Sequence, residues 1–269
     1  MPSIPKEEAI RALVRTAVEA YANGFKTRHL AEVKDPEGTI NMKIHNVFIS
    51  ALGPEIQYYS ALARSLDSSL GNMLEDLAIN IAKLFFDVKK QVEGPLSNEQ
   101  TTFIAKLLEQ YKSHRKKPSV KDYDFLRNKP QQKKLKHKRH DSDYYLINKT
   151  DNSHYLIELK IGGDLDNKKA RSEKEAILEQ YAILSNVLPQ KTNITIYFAT
   201  GYNRYGEGAP WNQERVKQFF AIDELLIGAD FWNFICQLKN GYDIVLDEYR
   251  KNAKLIKSAL DEIKKAYLP

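Results

Sequence analysis

Glu158 and Lys160 stand two residues apart in the apolar segment HYLIELKIG, residues 154–162. Alternate residues of a β-strand share a face, so an acid and an amine at this spacing stand side by side, along with His154 and Leu156. Tyr155, Ile157, Leu159 and Ile161 make the other face, which is wholly apolar and reads as packed on helices. The preceding DYYLIN (143–148) and the turn KTDNS complete the pattern of an antiparallel hairpin. In such a hairpin the start of the first strand lies beside the end of the second, so Asp143 and Asp141 arrive near Glu158 and Lys160. Carboxylates and an ammonium therefore converge at one edge of a sheet.

That set has a direct chemical use. Hard divalent cations take oxygen ligands, and Mg²⁺ is commonly held by one or two carboxylates, with water and a substrate phosphate completing its shell. The ion lowers the pKa of bound water and neutralises charge building on phosphorus. A lysine beside it can orient or deprotonate the attacking water, or stabilise the pentavalent phosphate. The plainer alternative is a solvated ion pair on an exposed face. Leu156, Leu159 and Ile161 argue against it, since an unpaired charge on a largely buried strand is costly and invites a functional reason.

Several elements must position these groups. PKEEAIRALVRTAVEAYANGF has a helical stripe through Ile10, Leu13, Val14, Ala17, Val18 and Tyr21, with Pro5 at its start and Gly24 near its end. SLGNMLEDLAINIAKLFFDVKK (69–90) reads as a second helix that buries Met73, Leu77, Ile81, Leu84 and Phe85. SNEQTTFIAKLLEQYK reads as a third, opened by a Ser97–Gln100 capping box. After the hairpin, GGDLDNKK reads as a strand exit and a helix cap at Asp166 or Asn167, followed by a helix through Ala170, Ile177, Tyr181 and Leu184. NITIYFAT is a further strand, and the chain beyond the glycine-punctuated 201–213 loop reads as helical. Helices around a strand–strand–helix–strand unit give a mixed α/β fold.

Two other stretches carry polar groups of interest. The region from Ser113 to His140 is loaded with positive charge and broken by two prolines, which reads as a loop. Lys133, Lys134, Lys136, Lys138 and Arg139 lie just before Asp143, where cations would give salt-dependent affinity for a nucleic-acid backbone. In TGYNRYGEGAPWNQ, Asn203, Arg204, Asn212 and Gln213 are side chains of the types that read purines in the major groove. Trp211 and Trp232 read as packing residues, and Gln180 as a helix residue facing the hairpin site.

An Asp near the start of one hairpin strand, followed by Glu-x-Lys in the next, resembles the signature of the PD-(D/E)XK nucleases. The separation from Asp143 to Glu158 fits that group, but Ser142 stands where the usual proline precedes the Asp. Asp141 remains a rival ligand; Asp143 is preferred because it abuts the apolar YYLI. These nucleases often carry a further acid on an N-terminal helix, and Glu75 in LGNMLEDLAINIAK has that setting. IELKIGGDLDNKKARSEKEAILEQYAIL, YFATGYNRYGEGAPWNQ and ELLIGADFWNFI together are similar to type II restriction endonucleases of the TdeIII kind, over roughly residues 70 to 240.

The resemblance implies a PD-(D/E)XK restriction-endonuclease-like core, a mixed central sheet flanked by helices, with extra N- and C-terminal helices. One nuclease domain would span 1–269, with a helical part at 1–65, a catalytic core at 66–200, and a loop and helical part at 201–269. It implies Asp143, Glu158 and Glu75 as ligands of Mg²⁺ (Mn²⁺ substituting), and Lys160 as the residue acting on water. The substrate would be duplex DNA, cut at a short palindrome such as GGNCC by a homodimer. A structure-selective repair nuclease on the same core, or a non-catalytic DNA-binding protein, would share many of these features.

Composition agrees with a DNA-acting protein without demanding one. Forty-one Lys and Arg against thirty-five Asp and Glu give a formal charge of +6, concentrated before the hairpin. The lone cysteine, Cys236, sits among apolar residues and reads as core, and one thiol forms no internal disulfide. With no apolar run of the ~18 residues needed to span a bilayer and no signal-like start, the expectation is a bacterial or archaeal intracellular, cytoplasmic protein.

Overall fold

Residues 5–127, 135–163 and 165–268 are described by a computed structural model. The chain folds as two compact units, Met1–Asn80 with Asp243–Pro269, and Ile81–Tyr242. The first unit is helical. It holds α1 (Lys6–Ala31), a 3₁₀ turn (Asn41–His45), the short α2 (Val47–Ser50), most of α3 (Pro54–Ala82) and most of α9 (Gly241–Tyr267). Phe25, Ile40, Tyr58, Ala61, Leu62 and Ile263 form one of its cores. The stripe predicted for α1 is buried at Ile10, Val14 and Val18, but the helix runs past Gly24 to Ala31. An isolated glycine costs a helix only about 1 kcal/mol, which packing of Phe25 and His29 offsets.

The second unit is a five-stranded mixed sheet in the order β1-β2-β3-β4-β5. These strands are Phe86–Ser97, Leu135–Asn148, His154–Leu159, Ile194–Thr200 and Leu225–Ile227. The first three are antiparallel neighbours, and β3–β4 and β4–β5 are parallel. The predicted hairpin is present. Its turn is held by Asn148, which accepts from the Thr150 amide, by Asp151, which accepts from the Ser153 amide, and by Asn152 at φ +56°. Asparagine tolerates that left-handed backbone better than most residues.

Both faces of β3 are covered, as its alternation requires. On one face Leu156 joins Tyr145, Ile196 and Phe198 in a core completed by α4 (Asn98–Lys112) and α6 (Asn167–Val187). On the other, Tyr155 and Tyr197 stack on each other and meet Phe234 of α8 (Ala229–Cys236) edge-on. The Ser97–Gln100 capping box opens α4, and Asp166 caps α6 through the Lys169 amide. α6 lies so close to β1 that a Cβ on Gly94 would stand 2.9 Å from Ile183. Cys236, Trp211 and Trp232 are buried, as expected of core residues.

Three expectations are corrected. The helix read over 69–90 ends at Ala82, and β1 begins at Phe86; Leu84 points to solvent rather than into a stripe. The basic region before the hairpin is not a loop throughout. It contains a 3₁₀ turn (Val120–Tyr123), α5 (Asp124–Arg127) and the first half of β2, which pairs Lys136, Lys138 and Arg139 with Leu96, Gly94 and Glu93. The helical reading beyond residue 213 is broken by β5, with only the four-residue α7 (Glu214–Lys217) before it. In each case the segment's hydrogen bonds come from a strand distant in sequence, which local periodicity does not report.

Candidate active site

The site is built on the two central strands and the start of α6. Tyr145 of β2 lies directly opposite Leu156 of β3, and both side chains enter the same core. Two residues further on, Asp143 and Glu158 leave that face where the core ends. Lys160 follows just past β3, its backbone amide donating to Ala199 O of β4 at 3.0 Å. Gly163, at φ +64°, turns the chain away by donating its amide to Lys160 O at 2.9 Å. A Cβ there would lie 2.7 Å from the Thr200 side chain, so the turn needs glycine. With its amide engaged in the turn, Gly163 does not offer it to a phosphate.

Lys160 Nζ is the hub. It lies 2.5 Å from Glu158 Oε1, 3.6 Å from Asp143 Oδ2 and 3.8 Å from Glu173 Oε1 of α6. Asp143 is 42% exposed and Glu158 only 12%. Although Glu158 Oε1 is close to the ammonium, their mutual angle is not that of a hydrogen bond, and this buried oxygen has no hydrogen-bond partner. Burial, reinforced by the negative charge of Asp143, pushes the Glu158 carboxyl up to about 8 in spite of Lys160. Burial also works against the Lys160 ammonium, but the charges of Glu158, Asp143 and Glu173 outweigh it and hold the lysine above its ordinary value. The two shifts pull in opposite senses on one ion pair. The lysine's is the better founded, since three carboxylates surround one cation.

This pocket of negative charge is under-neutralised, and its acids are hard oxygen donors. Asp143 and the unpartnered oxygen of Glu158 could share a divalent cation while leaving room for water and a phosphate oxygen. Among the described residues, no group of three or more His, Cys, Asp or Glu is gathered as a ready metal cage, so the donor set is this carboxylate pair. Asp141 is elsewhere: it faces Gln91 across the β1–β2 ladder and accepts a hydrogen bond from its Nε2 at 3.1 Å. Glu75 is a half-buried residue of α3 in the first unit, whereas Asp143, Glu158 and Lys160 belong to the second.

Sequence reasoning missed Glu173. Three glutamates, at positions 173, 175 and 179, occupy the first half of α6, and helical spacing alone does not say which approaches the strand exit. Gln180 is buried in α6, and its Oε1 has no hydrogen-bond partner.

The polar residues around the site divide into engaged and open groups. Lys138 donates to both oxygens of Glu179 at 2.9 Å, with His140 Nε2 2.9 Å from the same carboxylate. His140 and Lys138 together hold Glu179 below the usual carboxylate range against its burial. Lys136 and Arg139 are exposed on β2, while Lys133 and Lys134 lie outside the described residues. In the 201–213 loop, Asn203 donates to Ala209 O at 2.7 Å and accepts from the Tyr205 amide at 3.0 Å, so both ends of its amide close the loop. Gln213 is buried, and Arg204 and Asn212 are exposed. The loop's far side is fixed by Glu207, which accepts from the Ala229 amide at the start of α8.

No described helix is long and apolar enough to cross a membrane. No curated protein and no solved structure matches the chain. A family model does, over residues 6–253, and by that match to the family described as "Type II restriction endonuclease, HinfI" the chain belongs to it.

Proposed function

We propose that this member of the family is a Mg²⁺-dependent endonuclease of the PD-(D/E)XK type, cutting both strands of duplex DNA at a short palindrome. The observation that carries the reading is the convergence of Asp143 and Glu158 on Lys160. Asp143 and Glu158 would hold the ion, with Mn²⁺ able to substitute; Glu158 brings a buried oxygen that no protein donor satisfies. When bound, the ion supplies Lewis acidity and a more acidic water. Lys160 acts as a protonated donor, aligning the attacking water and stabilising charge on the phosphate oxygens. Glu173 positions that ammonium from α6. Lys136 and Arg139, with Lys133 and Lys134 of the same stretch, give backbone affinity that weakens with salt. Arg204 and Asn212 are the loop residues open to base edges. A GGNCC-like target follows from the TdeIII likeness alone, and the fragment pattern decides it.

The test is digestion of a plasmid of known sequence. Wild-type protein with Mg²⁺ gives discrete fragments that EDTA abolishes, and Lys160→Ala loses at least roughly 100-fold in rate, as expected for removal of one charge-stabilising donor, while still retarding DNA in a gel. Intact DNA with both Mg²⁺ and Mn²⁺, or undiminished cleavage by Lys160→Ala, refutes the reading. Products only nicked or resected from ends would point instead to a repair nuclease.

A further inference from the structure

The segment between α1 and α3 has apolar residues that it does not bury. The 3₁₀ turn Asn41–His45 and helix α2 contain no buried residue, although α2 reads Val-Phe-Ile-Ser. Phe48 is 83% exposed, and Met42, Ile44, Val47, Leu52 and Ile56 lie between 46% and 67%. Single exposed hydrophobes are ordinary, but a run of six within one short segment marks an interaction surface. The segment is also ordered for the purpose. Asn46 caps α2 by accepting from the Ile49 amide at 3.2 Å, so Val47 and Phe48 project from a fixed turn rather than a loose loop. Preordering of this kind lowers the entropic cost of association.

From these features we infer that the Met42–Ile56 surface is where two copies of this chain pair. The area suits that occupant. Half to four-fifths of six large side chains, each on the order of 200 Å² when fully open, amounts to roughly 700 Å², close to the ~800 Å² that one partner brings to a standard interface. The charge suits it too. Between Asn41 and Ser60 the only residues charged at neutral pH are Lys43 and Glu55, so two copies meet without repulsion despite a net +6 on each chain. A two-fold pairing sets the same patch against itself, which an uncharged apolar surface permits. DNA is a poor occupant, since phosphate binding needs cations and this surface offers one lysine.

Sedimentation velocity of the full chain over nanomolar to micromolar concentrations tests the assignment, alongside Phe48→Glu and, independently, Val47→Lys. Both positions are open to solvent, so each variant keeps the wild-type melting temperature. The wild type is dimeric at micromolar concentration, and each variant dissociates with a Kd raised at least about 30-fold, the scale of losing a central anchor. A wild type that stays monomeric overturns the inference and leaves the surface to another protein or a lipid. Variants that dimerise as tightly as the wild type overturn it as well. Because the readout is mass rather than cleavage, the result is independent of the endonuclease reading.

Discussion

Lys174 offers a sharp test of what holds α6 in place over the sheet. Its side chain is 0% exposed, yet its ammonium lies 2.7 and 2.8 Å from the two oxygens of Glu224 and 2.6 Å from the Tyr123 hydroxyl. Tyr123 also donates to Glu224 at 2.7 Å, and the ring of Phe220 covers the ammonium at 4.4 Å. Burial pulls the lysine below its ordinary value while Glu224 opposes it. Glu224→Leu strands a buried cation, and breaking such a pair from one side costs about 3–5 kcal/mol. For a chain of this size that is a fall in Tm on the order of 10 °C. Lys174→Met combined with Glu224→Leu removes both charges and leaves chiefly the Tyr123 hydroxyl unsatisfied, at about 1–3 kcal/mol. The double variant should therefore be more stable than Glu224→Leu alone. Urea unfolding followed by tryptophan fluorescence reads this unit specifically, because both tryptophans, Trp211 and Trp232, lie within it. A single variant costing under ~1 kcal/mol, or a double variant whose cost equals the sum of the two singles, would refute the reasoning.

Two further outcomes follow from named contacts. His154 is buried with Nδ1 2.7 Å from the Tyr145 hydroxyl, and burial lowers its pKa. The unfolded chain then binds the proton more tightly, so this stabilisation is complete above pH ~6.5 and is lost as pH falls through the lowered folded value. Thermal melts from pH 8 to 5 should show His154→Gln losing less stability on acidification than wild type, by up to about 1.4 kcal/mol per pH unit; equal slopes would count against it. Asn203→Ala removes two hydrogen bonds that close the 201–213 loop and should speed proteolysis there, at a cost of about 1–3 kcal/mol. Unchanged proteolysis together with an altered cut site would mean that Asn203 reads bases instead.

What was legible in the sequence was local. The Ser97–Gln100 box, the Asp166 cap, the hairpin turn and the period-two pattern of β3 each depend on residues within a few positions of one another, and each stands in the structure. The alternation also put Glu158 and Lys160 on one face, next to the strand carrying Asp143. The illegible parts were set by distant partners. β1 hid behind the end of a helical pattern because its ladder is supplied by β2, some fifty residues on: Gln91 pairs with Asp141. The same ladder takes Asp141 away from Lys160. Lys138 looked like one cation among many until the fold brought Glu179 against it, and Glu173 could not be told from its neighbours before α6 was laid beside the strand exit.

The central claim is that Asp143, not Asp141, completes the site with Glu158 and Lys160. Plasmid cleavage in Mg²⁺ by Asp143→Asn and Asp141→Asn, compared with wild type at equal DNA binding, tests it most directly. Asp143→Asn should lose at least about 100-fold in rate, and Asp141→Asn, which gives up only an exposed contact to Gln91, should cut within a few-fold of wild type. Cleavage that survives Asp143→Asn but fails in Asp141→Asn would contradict the account.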